Sequence, residues 1–248
     1  MSQTVERAIA IMELTSAAPR TLTEVAEHLG VHRTTALRLL RTLTDGGITR
    51  RRDDGRYGIG YRLAGLASLA NDQFDLRNLA HDHLVRLSQL SGHTIHLAAI
   101  EGDDIIYIDI VDRIGGLSLY ARVGRPVRLH TAAVGKAVLS QQSEDIISAM
   151  LLRCDFEQFT QSTIATPDAL MSELRVARER GWATDNGEME AYLNCIGAPI
   201  RQSSGAVVAA VSVTALKVKA DLAKLESEML PHLLQTCNDL SKDLGWLT

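Results

Sequence analysis

The sequence predicts an α+β fold in two parts: a winged helix-turn-helix domain with a linker helix over residues 1–74, and a sheet-containing domain over residues 75–248. Three observations support this prediction. The segment Thr21–Glu24 has the pattern of a helix capping box. The turn Asp53–Gly55 between two short strand-like runs is a strong hairpin signal. Beyond Gly92 the apolar period changes from helical to strand-like.

The composition of the 248 residues is that of an ordinary globular protein, with 46% hydrophobic and 23% charged residues. This balance excludes the disordered and fibrous classes. No apolar run reaches the ~20 residues that a membrane helix needs, and Met1–Arg7 lacks the pattern of a signal peptide, so we expect a cytoplasmic protein. The three cysteines, Cys154, Cys195 and Cys237, have neither zinc-site nor disulfide spacing, and neither a metal site nor a cofactor is predicted.

Helical spacing predicts three helices before residue 46. The first ends at Pro19, the second begins at the capping box and ends at Gly30, and the third runs from about Arg33 to Asp45. A hairpin with strands at 48–52 and 56–59 follows. Apolar residues recur at helical spacing in each helix: Val5, Ala8, Ile9 and Met12 in the first, Val25, Ala26 and Leu29 in the second, and Ala36, Leu39, Leu40 and Leu43 in the third.

The charge is distributed unevenly along the chain. The net charge is −4, but residues 1–70 carry 10 arginines against 7 acidic residues, a charge of +3, and the remainder carries −7. Within residues 31–62 there are 8 arginines and 3 acidic residues. A local basic patch on an acidic body is typical of a phosphate-binding surface, although a solvated charged face would have the same composition.

The face of the third helix opposite its apolar stripe is polar and basic. A helix-turn-helix places the N-terminal part of this helix in the major groove, where arginine bonds guanine and threonine contacts bases or phosphates. An apolar Leu37 on the solvated flank favours contact with a thymine methyl. The predicted DNA-contacting residues are Arg33, Thr34, Thr35, Leu37, Arg38 and Arg41 in the helix, with Arg50, Arg51, Arg52 and Arg56 in the hairpin beside the DNA backbone or in the minor groove.

The same helix also fits an amphipathic core helix with solvated arginines, in which Arg41 pairs with Asp45. The order of capped helix, tight turn, basic helix and basic hairpin is more specific than any of its parts, and it favours DNA binding. Because one winged domain reads few base pairs, we expect a homodimer or homotetramer on a palindromic operator. The apolar stripe of Leu63, Leu66 and Ala70 forms either the dimer seam or a packing surface within its own chain.

The second part of the chain alternates between strand-like and helical patterns. A helix over about 75–90 precedes it, and the domain boundary is expected near residue 74. The predicted strands are 93–100, 105–110, 117–123, 183–184, 195–201 and 207–215, and the predicted helices are 133–139, 143–152, 167–180 and 222–244, the last kinked or split at Pro231.

Several segments together resemble one known family. They are Leu22–Ala26, Gly30–Val31, Thr34–Leu43 and Tyr57–Leu63 in the first part, and Leu129–Leu139, Gly181–Ala183, Asp185, Cys195–Ile200 and Ala209–Val213 in the second. With these motifs the sequence is similar to the IclR family of bacterial regulators from Val5 to Leu244. The resemblance implies a GAF-like effector-binding domain for a small organic acid or aromatic metabolite. It also implies control of a nearby catabolic operon, and we expect a repressor, although activators share the fold.

By position, the resemblance implies an effector pocket formed by Leu117, Leu119, Ala133, Val134, Asp185, Leu193, Cys195, Ser212 and Thr214. The chemistry suits a small acid. The helix that starts near Ala133 presents backbone amides to a carboxylate. Ser212 and Thr214, two apart on one strand, point to one face and can bond a ligand. The three leucines supply an apolar wall.

The loop before Cys195 departs from the family pattern. Tyr192 stands where the family has a small residue, and Asn194 stands where it has arginine. Tyr192 either lines the pocket or covers its rim, and the ligand class implied by the family is therefore in doubt.

Two other classes of protein remain as alternatives. An enzyme would use Asp185, Cys195 and histidines, but no base stands at a recognisable spacing, so no catalytic residue is predicted. A metal-sensing regulator would need histidines that face one another. The candidate pairs, His81 with His83 and His93 with His96, are expected to point in different directions.

Overall fold

The computed structural model describes residues 3–66, 75–113 and 121–246. The chain forms two compact units, Met1–Asp75 and Leu76–Thr248. The predicted boundary near residue 74 lies outside the described residues, as does Ala70 of the predicted apolar stripe, and both stay predictions.

The first unit is a winged helix-turn-helix domain, as predicted. Its two strands pair antiparallel, with Arg50 opposite Gly58. Residues 61–66 after the hairpin are helical. The elements are α1 (Gln3–Ala17), α2 (Leu22–His28), α3 (Arg33–Asp45), β1 (Thr49–Arg51) and β2 (Tyr57–Ile59).

The predicted capping box begins α2. The Thr21 hydroxyl accepts a hydrogen bond from the Glu24 amide at 3.2 Å, and the Glu24 carboxylate accepts one from the Thr21 amide at 2.7 Å. These two bonds satisfy donors that the first turn of a helix leaves without partners. The start of α2, the first helix of the helix-turn-helix, is therefore fixed by hydrogen bonds between residues close in sequence.

The apolar stripe of α1 does not face the core of its own unit. Ile11 is fully buried, whereas Val5 is 57% exposed and Ile9 is 46% exposed. The core is formed by Ile11 of α1 together with α2, α3 and Tyr57 of the hairpin. Its buried members are Ile11, Val25, Ala26, Ala36, Leu39, Leu40 and Tyr57.

The second unit is built on a five-stranded antiparallel sheet with the strand order β4-β3-β7-β6-β5. The strands are β3 (Thr94–Glu101), β4 (Asp104–Val111), β5 (Ala183–Asp185), β6 (Leu193–Arg201) and β7 (Val207–Leu216). The helices are α4 (Asp75–Ser91), α5 (Ala133–Leu139), α6 (Glu144–Leu151), α7 (Pro167–Arg180), α8 (Leu222–Lys224) and α9 (Leu230–Asp243).

Helices cover both faces of this sheet. One face packs against α4 and α9, where Leu84 and Leu233 are fully buried with Val211 and Val213 of β7. The other face packs against α5, α6 and α7. Residues of β7 alternate between the two faces, as a strand requires, so the neighbours of Val211 and Val213 point toward the α5 side.

Two predictions about single elements have different outcomes. The C-terminal helix is split as expected, because a π-helical turn, Leu225–Met229, separates α8 from α9 just before Pro231; proline has no amide hydrogen to continue the helical pattern. The predicted strand at 117–123 is wrong at residues 121–123, which are not a strand, and its remainder lies outside the described residues.

None of the described helices is both long and apolar enough to cross a membrane.

Candidate functional site

The exposed side of α3 carries the predicted DNA-contacting residues. Arg33, Thr34, Arg38 and Arg41 are exposed, and Thr35 and Leu37 are half-buried. The opposite side, with Ala36, Leu39 and Leu40, is buried in the core. The predicted alternative pair of Arg41 and Asp45 does not form an ion pair in the described part of the chain. The two arginines Arg38 and Arg41 therefore face solvent from one side of the helix.

His32 is a feature of this surface that the sequence analysis missed. It is the N-cap of α3, and its Nδ1 lies 2.9 Å from the Thr34 hydroxyl and accepts from the Thr34 amide at 3.4 Å. Histidine is not among the preferred N-cap residues, so composition gave no signal for this role. The cap fixes the first turn of α3, which is the part predicted to enter a major groove.

The hairpin divides its arginines into two groups. Arg50, Arg51 and Arg52 are exposed, and the Arg50 guanidinium lies 5.2 Å from the centre of the Tyr61 ring. Arg56 turns back toward the helices, where it donates to the Pro19 carbonyl at 3.3 Å and lies 3.5 Å from the Glu24 carboxylate. Arg56 thus braces the hairpin, unlike the other three.

A pocket in the second unit brings together all seven of the described residues predicted for effector binding. It lies between the sheet, the start of α5 and the loop after β5. The predicted members are Ala133, Val134, Asp185, Leu193, Cys195, Ser212 and Thr214, and the further members are His96, Tyr107, Ala121, Pro126, Arg128, Thr131, Ala132, Met189 and Glu190. Leu117 and Leu119 lie outside the described residues.

Side chains from four strands form a polar chain along the floor of this pocket. The Thr214 hydroxyl lies 3.2 Å from His96 Nδ1 and donates to Cys195 Sγ at 3.2 Å. The Cys195 thiol in turn lies 3.6 Å from the Asp185 carboxylate. Strand register produces this chain, since Thr214 stands opposite Cys195, and Cys195 stands opposite Asp185. The pocket floor is therefore polar although it is buried.

Burial decides the charge of these groups. It raises the pKa of the Cys195 thiol, the Asp185 carboxyl and the Tyr107 hydroxyl, and it lowers the pKa of His96 to about 4. At neutral pH the His96 ring is consequently neutral and Cys195 remains a thiol. Cys195 acts here as a small hydrogen-bonding group, without the thiolate character of a nucleophile.

A buried ion pair holds the loop that closes the pocket. Lys136 of α5 is fully buried, and its Nζ lies 2.7 Å and 2.6 Å from the two carboxylate oxygens of Glu188. The Glu188 amide donates to Asp185 at 2.7 Å. Burial raises the pKa of Glu188 to about 7, and the Lys136 ammonium opposes this shift. Lys136 lies within the motif Leu129–Leu139, but its role cannot be read from the sequence because its partner is 52 residues away.

The two departures from the family pattern lie away from the pocket floor. Tyr192 is 46% exposed. Asn194 is buried on β6 and donates to the Ala220 carbonyl at 3.3 Å. Neither residue lines the pocket among the described residues.

Gly197 permits the close packing that shapes the pocket wall. A Cβ atom at this position would lie 2.7 Å from the Ala133 carbonyl oxygen and 3.1 Å from the Val134 amide nitrogen. The start of α5 therefore rests directly on β6. Ala132 is its N-cap and supplies no side-chain hydrogen bond.

The histidine pairs do not converge on a common point. His81 lies 2.7 Å from Asp109, and His83 lies 3.1 Å from Asp243. His96 is in the pocket, and burial lowers the pKa of His93, which precedes β3. The four histidines considered for a metal sensor thus have separate surroundings.

One unit carries an arginine-bearing helix and wing, and a second unit of the same chain carries a polar pocket. Together these features define a ligand-controlled regulator of transcription. Two family models match the chain: the IclR helix-turn-helix domain over residues 4–53, and the bacterial transcriptional regulator IclR C-terminal domain over residues 69–242. The chain belongs to the IclR family of bacterial transcriptional regulators, and the family prediction is confirmed.

Individual relatives agree with this assignment along the whole chain. The chain is 31% identical to the HTH-type transcriptional regulator XynR of Escherichia coli K12, over 98% of both proteins. It is 27% identical to the HTH-type transcriptional repressor AllR of the same strain, over 98% of this chain and 91% of that protein. The crystal structure of Thermotoga maritima IclR matches with a TM-score of 0.80 and 31% identity, over 98% of this chain and 99% of that one.

Proposed function

We propose that the protein is a transcriptional repressor that binds a palindromic operator as a homodimer or homotetramer and responds to a small organic acid in the pocket of its second unit. The pocket is the main support for this proposal, because seven residues predicted from separate parts of the sequence line one buried polar site. Its assigned role is binding, with no catalytic step. Because the proposed operator lies on the bacterial chromosome, the protein is proposed to act in the cytoplasm.

The lining chemistry supports a hydroxylated or aromatic acid as the effector. Arg128 offers a cation to a carboxylate. The hydroxyls of Ser212 and Thr214 bond polar ligand groups, and the Asp185 carboxylate accepts from a ligand hydroxyl. Tyr107 and the apolar residues beside it supply a flat wall.

The exposed arginines support the proposed DNA contacts. Arg33, Arg38 and Arg41 face solvent from the start and middle of α3, where base edges are read. Arg50, Arg51 and Arg52 of the wing suit phosphate contacts. Thr34, Thr35 and Leu37 complete the proposed reading surface, and Arg56 is proposed to position the wing.

Exposed apolar side chains support the proposed oligomer. Val5 and Ile9 of α1 and Leu66 of the following helical segment are 57%, 46% and 47% exposed. Large apolar side chains left in water on one small unit are typical of a surface that a second copy covers.

The proposal is tested by fluorescence anisotropy with DNA from upstream of the protein's own gene, across a salt series, with and without hydroxylated organic acids. We expect selective binding that one class of acid weakens. Binding that is equal on every sequence and lost steeply with salt would contradict operator recognition. Turnover of a bound acid would contradict a pure binding role.

Matched variants separate the two sites. Ser212→Ala should abolish the response to the acid and leave operator affinity unchanged, whereas Ser204→Ala, at an exposed turn serine, should preserve both. An unchanged response in Ser212→Ala would remove this residue from the effector site.

A further inference from the structure

Three metal-binding side-chain types meet at a second cavity, outside the effector pocket. His130, Cys154 and Asp155 place a ring nitrogen, a sulfur and a carboxylate oxygen within 4.8 Å of one another. His130 is fully buried in the turn before α5, and Cys154 and Asp155 follow α6. All three line a cavity of about 330 Å³ that opens to solvent. The grouping was invisible in the sequence, because Cys154 and His130 are 24 residues apart.

The orientation of the His130 ring favours metal binding. Its Nε2 lies 2.9 Å from the Glu157 carbonyl oxygen, which can only accept a hydrogen bond, so Nε2 carries the proton. In the neutral ring the Nδ1 lone pair is then free to face Cys154 Sγ, 3.3 Å away. Histidines that bind metals usually donate their other nitrogen to a carbonyl or carboxylate in this way.

The spacing of the donor atoms fits one tetrahedral ion. A nitrogen and a sulfur bound to the same zinc ion are about 3.5 Å apart, given Zn–N and Zn–S bonds of about 2.0 and 2.3 Å. The observed separation of 3.3 Å needs only a small adjustment. A thiol–imidazole hydrogen bond would give a similar distance, so metal affinity is the property to measure.

The backbone holds the third donor beside the other two. Phe156 has a φ of 49°, the single positive value at a non-glycine residue in the described part of the chain. A left-handed residue reverses the chain direction locally, and here it lets the Asp155 side chain and the Glu157 carbonyl both face His130. The Phe159 ring stacks on the imidazole with centres 6.0 Å apart.

Two of the three arginines that line this cavity are paired with acidic partners. Arg128 donates to Asp155 at 2.7 Å, and Arg153 donates to Asp104 at 2.7 Å. A carboxylate has about four lone-pair positions, so Asp155 can bind an ion while it keeps a hydrogen bond to Arg128.

We propose that His130 Nδ1, Cys154 Sγ and the Asp155 carboxylate bind a zinc-class divalent cation, with a fourth position open to the cavity. Sulfur and imidazole donors select such ions over magnesium and calcium. Binding converts the Cys154 thiol to a thiolate and releases its proton to solvent.

The test uses Co²⁺ as a spectroscopic probe on the purified, metal-free full chain. We expect one Co²⁺ per chain, a thiolate-to-cobalt charge-transfer band, and loss of the band when Zn²⁺ is added. Cys154→Ser should abolish the band. Asp155→Asn, at an exposed position, should weaken Co²⁺ affinity at least about tenfold, since one ligand is lost, and Asp103→Asn in the same cavity should leave it unchanged.

Absence of the band in the wild-type chain would overturn the proposal. So would a band that survives Cys154→Ser and disappears in Cys195→Ser, since the ion would then occupy the effector pocket. Circular dichroism checks the fold of each variant, and Asp155→Asn keeps the proposal testable if Cys154→Ser does not fold. Operator binding is measured separately, so a negative result in the cobalt experiment would not contradict the proposed regulatory function.

Discussion

Lys136 and Glu188 form an ion pair without access to water. Burying two charges costs several kcal/mol per ion, which only close geometry and further hydrogen bonds offset. Both conditions hold, with contacts of 2.6 and 2.7 Å and an additional bond to Glu188 from the Asn186 amide at 3.4 Å. The pair joins α5 to the loop after β5, two elements that contribute residues to the proposed effector pocket.

Replacing Lys136 by methionine should therefore destabilise the second unit by about 3–5 kcal/mol, because Glu188 loses its buried counter-charge and must either stay ionised in the interior or take up a proton. Urea unfolding at pH 8 measures the loss. The double variant Lys136→Met/Glu188→Leu should recover most of it, since neither member of the pair is left without its partner. Equal stability of the wild type and Lys136→Met would show that the pair has no structural role.

His96 should make the protein sensitive to acid. Its folded pKa is lowered to about 4 by burial, whereas the unfolded chain binds the proton near pH 6.5. As the pH falls from 6.5 to 4 the unfolded state takes up a proton that the folded state does not, and stability falls by up to about 3 kcal/mol.

Unfolding free energies between pH 7 and pH 4 test this expectation. His96→Gln should flatten that part of the curve, and His232→Gln, at an exposed position, should keep the wild-type slope. An unchanged slope in His96→Gln would assign the acid sensitivity to other groups.

Among the elements, α3 and the hairpin divide the proposed reading of DNA between them. In the proposed complex, Thr35, Leu37 and Arg38 in the N-terminal half of α3 contact base edges, and Arg50 and Arg51 of β1 contact phosphates from the short wing. Contacts to bases discriminate between sequences, and contacts to phosphates do not.

Leu37→Ala should relax the preference at one base pair by about 1–3 kcal/mol, the usual penalty of one mismatch, because a methyl contact with thymine is lost. Anisotropy with a set of single-base operator variants measures this. A uniform loss of affinity on all variants would contradict the proposed contact.

Arg51→Ala should weaken binding to all sequences alike and reduce the salt slope by about one, as expected for the loss of one phosphate contact. Arg175→Ala, at an exposed arginine of α7, is the matched control and should change neither quantity. A sequence-dependent loss in Arg51→Ala would move this residue to the base-reading surface.

Local signals predicted the elements better than the contacts between them. Gly46 and the capping box act over a few residues, so the bounds of α3 and the start of α2 are readable from sequence. The partner of Lys136 depends on a loop conformation that no periodicity encodes. The spacing of apolar residues in α1 predicted a helix, but it did not predict which side of the helix is buried. Val5 and Ile9 of the predicted apolar stripe remain exposed.

Pocket residues were predictable as a set only through the family resemblance. Ser212 and Thr214 share a face by strand alternation alone. Their neighbours His96 and Tyr107 come from strands more than 100 residues earlier, and only the register of β3, β4 and β7 brings them there.

The whole molecule combines a basic first unit with an acidic remainder. Residues 1–70 carry a charge of +3 and the rest carry −7, whereas the first unit as a whole carries only +1, because Asp72 and Asp75 belong to it. The electrostatic attraction to DNA is therefore expected from the arginines of α3 and the hairpin, and the acidic remainder opposes unspecific binding. A small basic surface of this kind gains operator affinity when two copies bind together.

Ile9→Asp should shift the protein from dimer to monomer, because the aspartate places a charge in the proposed seam. Sedimentation velocity measures the shift, and operator affinity should fall with it. Ile146→Asp, at a comparably exposed position on α6 (45% against 46%), is the control and should leave the dimer intact. A dimer that survives Ile9→Asp would place the seam elsewhere.

Arg128 borders both cavities of the second unit. Its guanidinium donates to Asp155 at 2.7 Å, and a cation that shares this carboxylate would weaken the contact without breaking it and so favour the approach of an acid on the other side. Linkage between two ligands is reciprocal, so the acid would tighten cation binding by the same factor. A regulator built this way would respond most strongly when a carbon source and a metal ion are both present, because Arg128 pairs with the acid on one side and with the metal-binding Asp155 on the other.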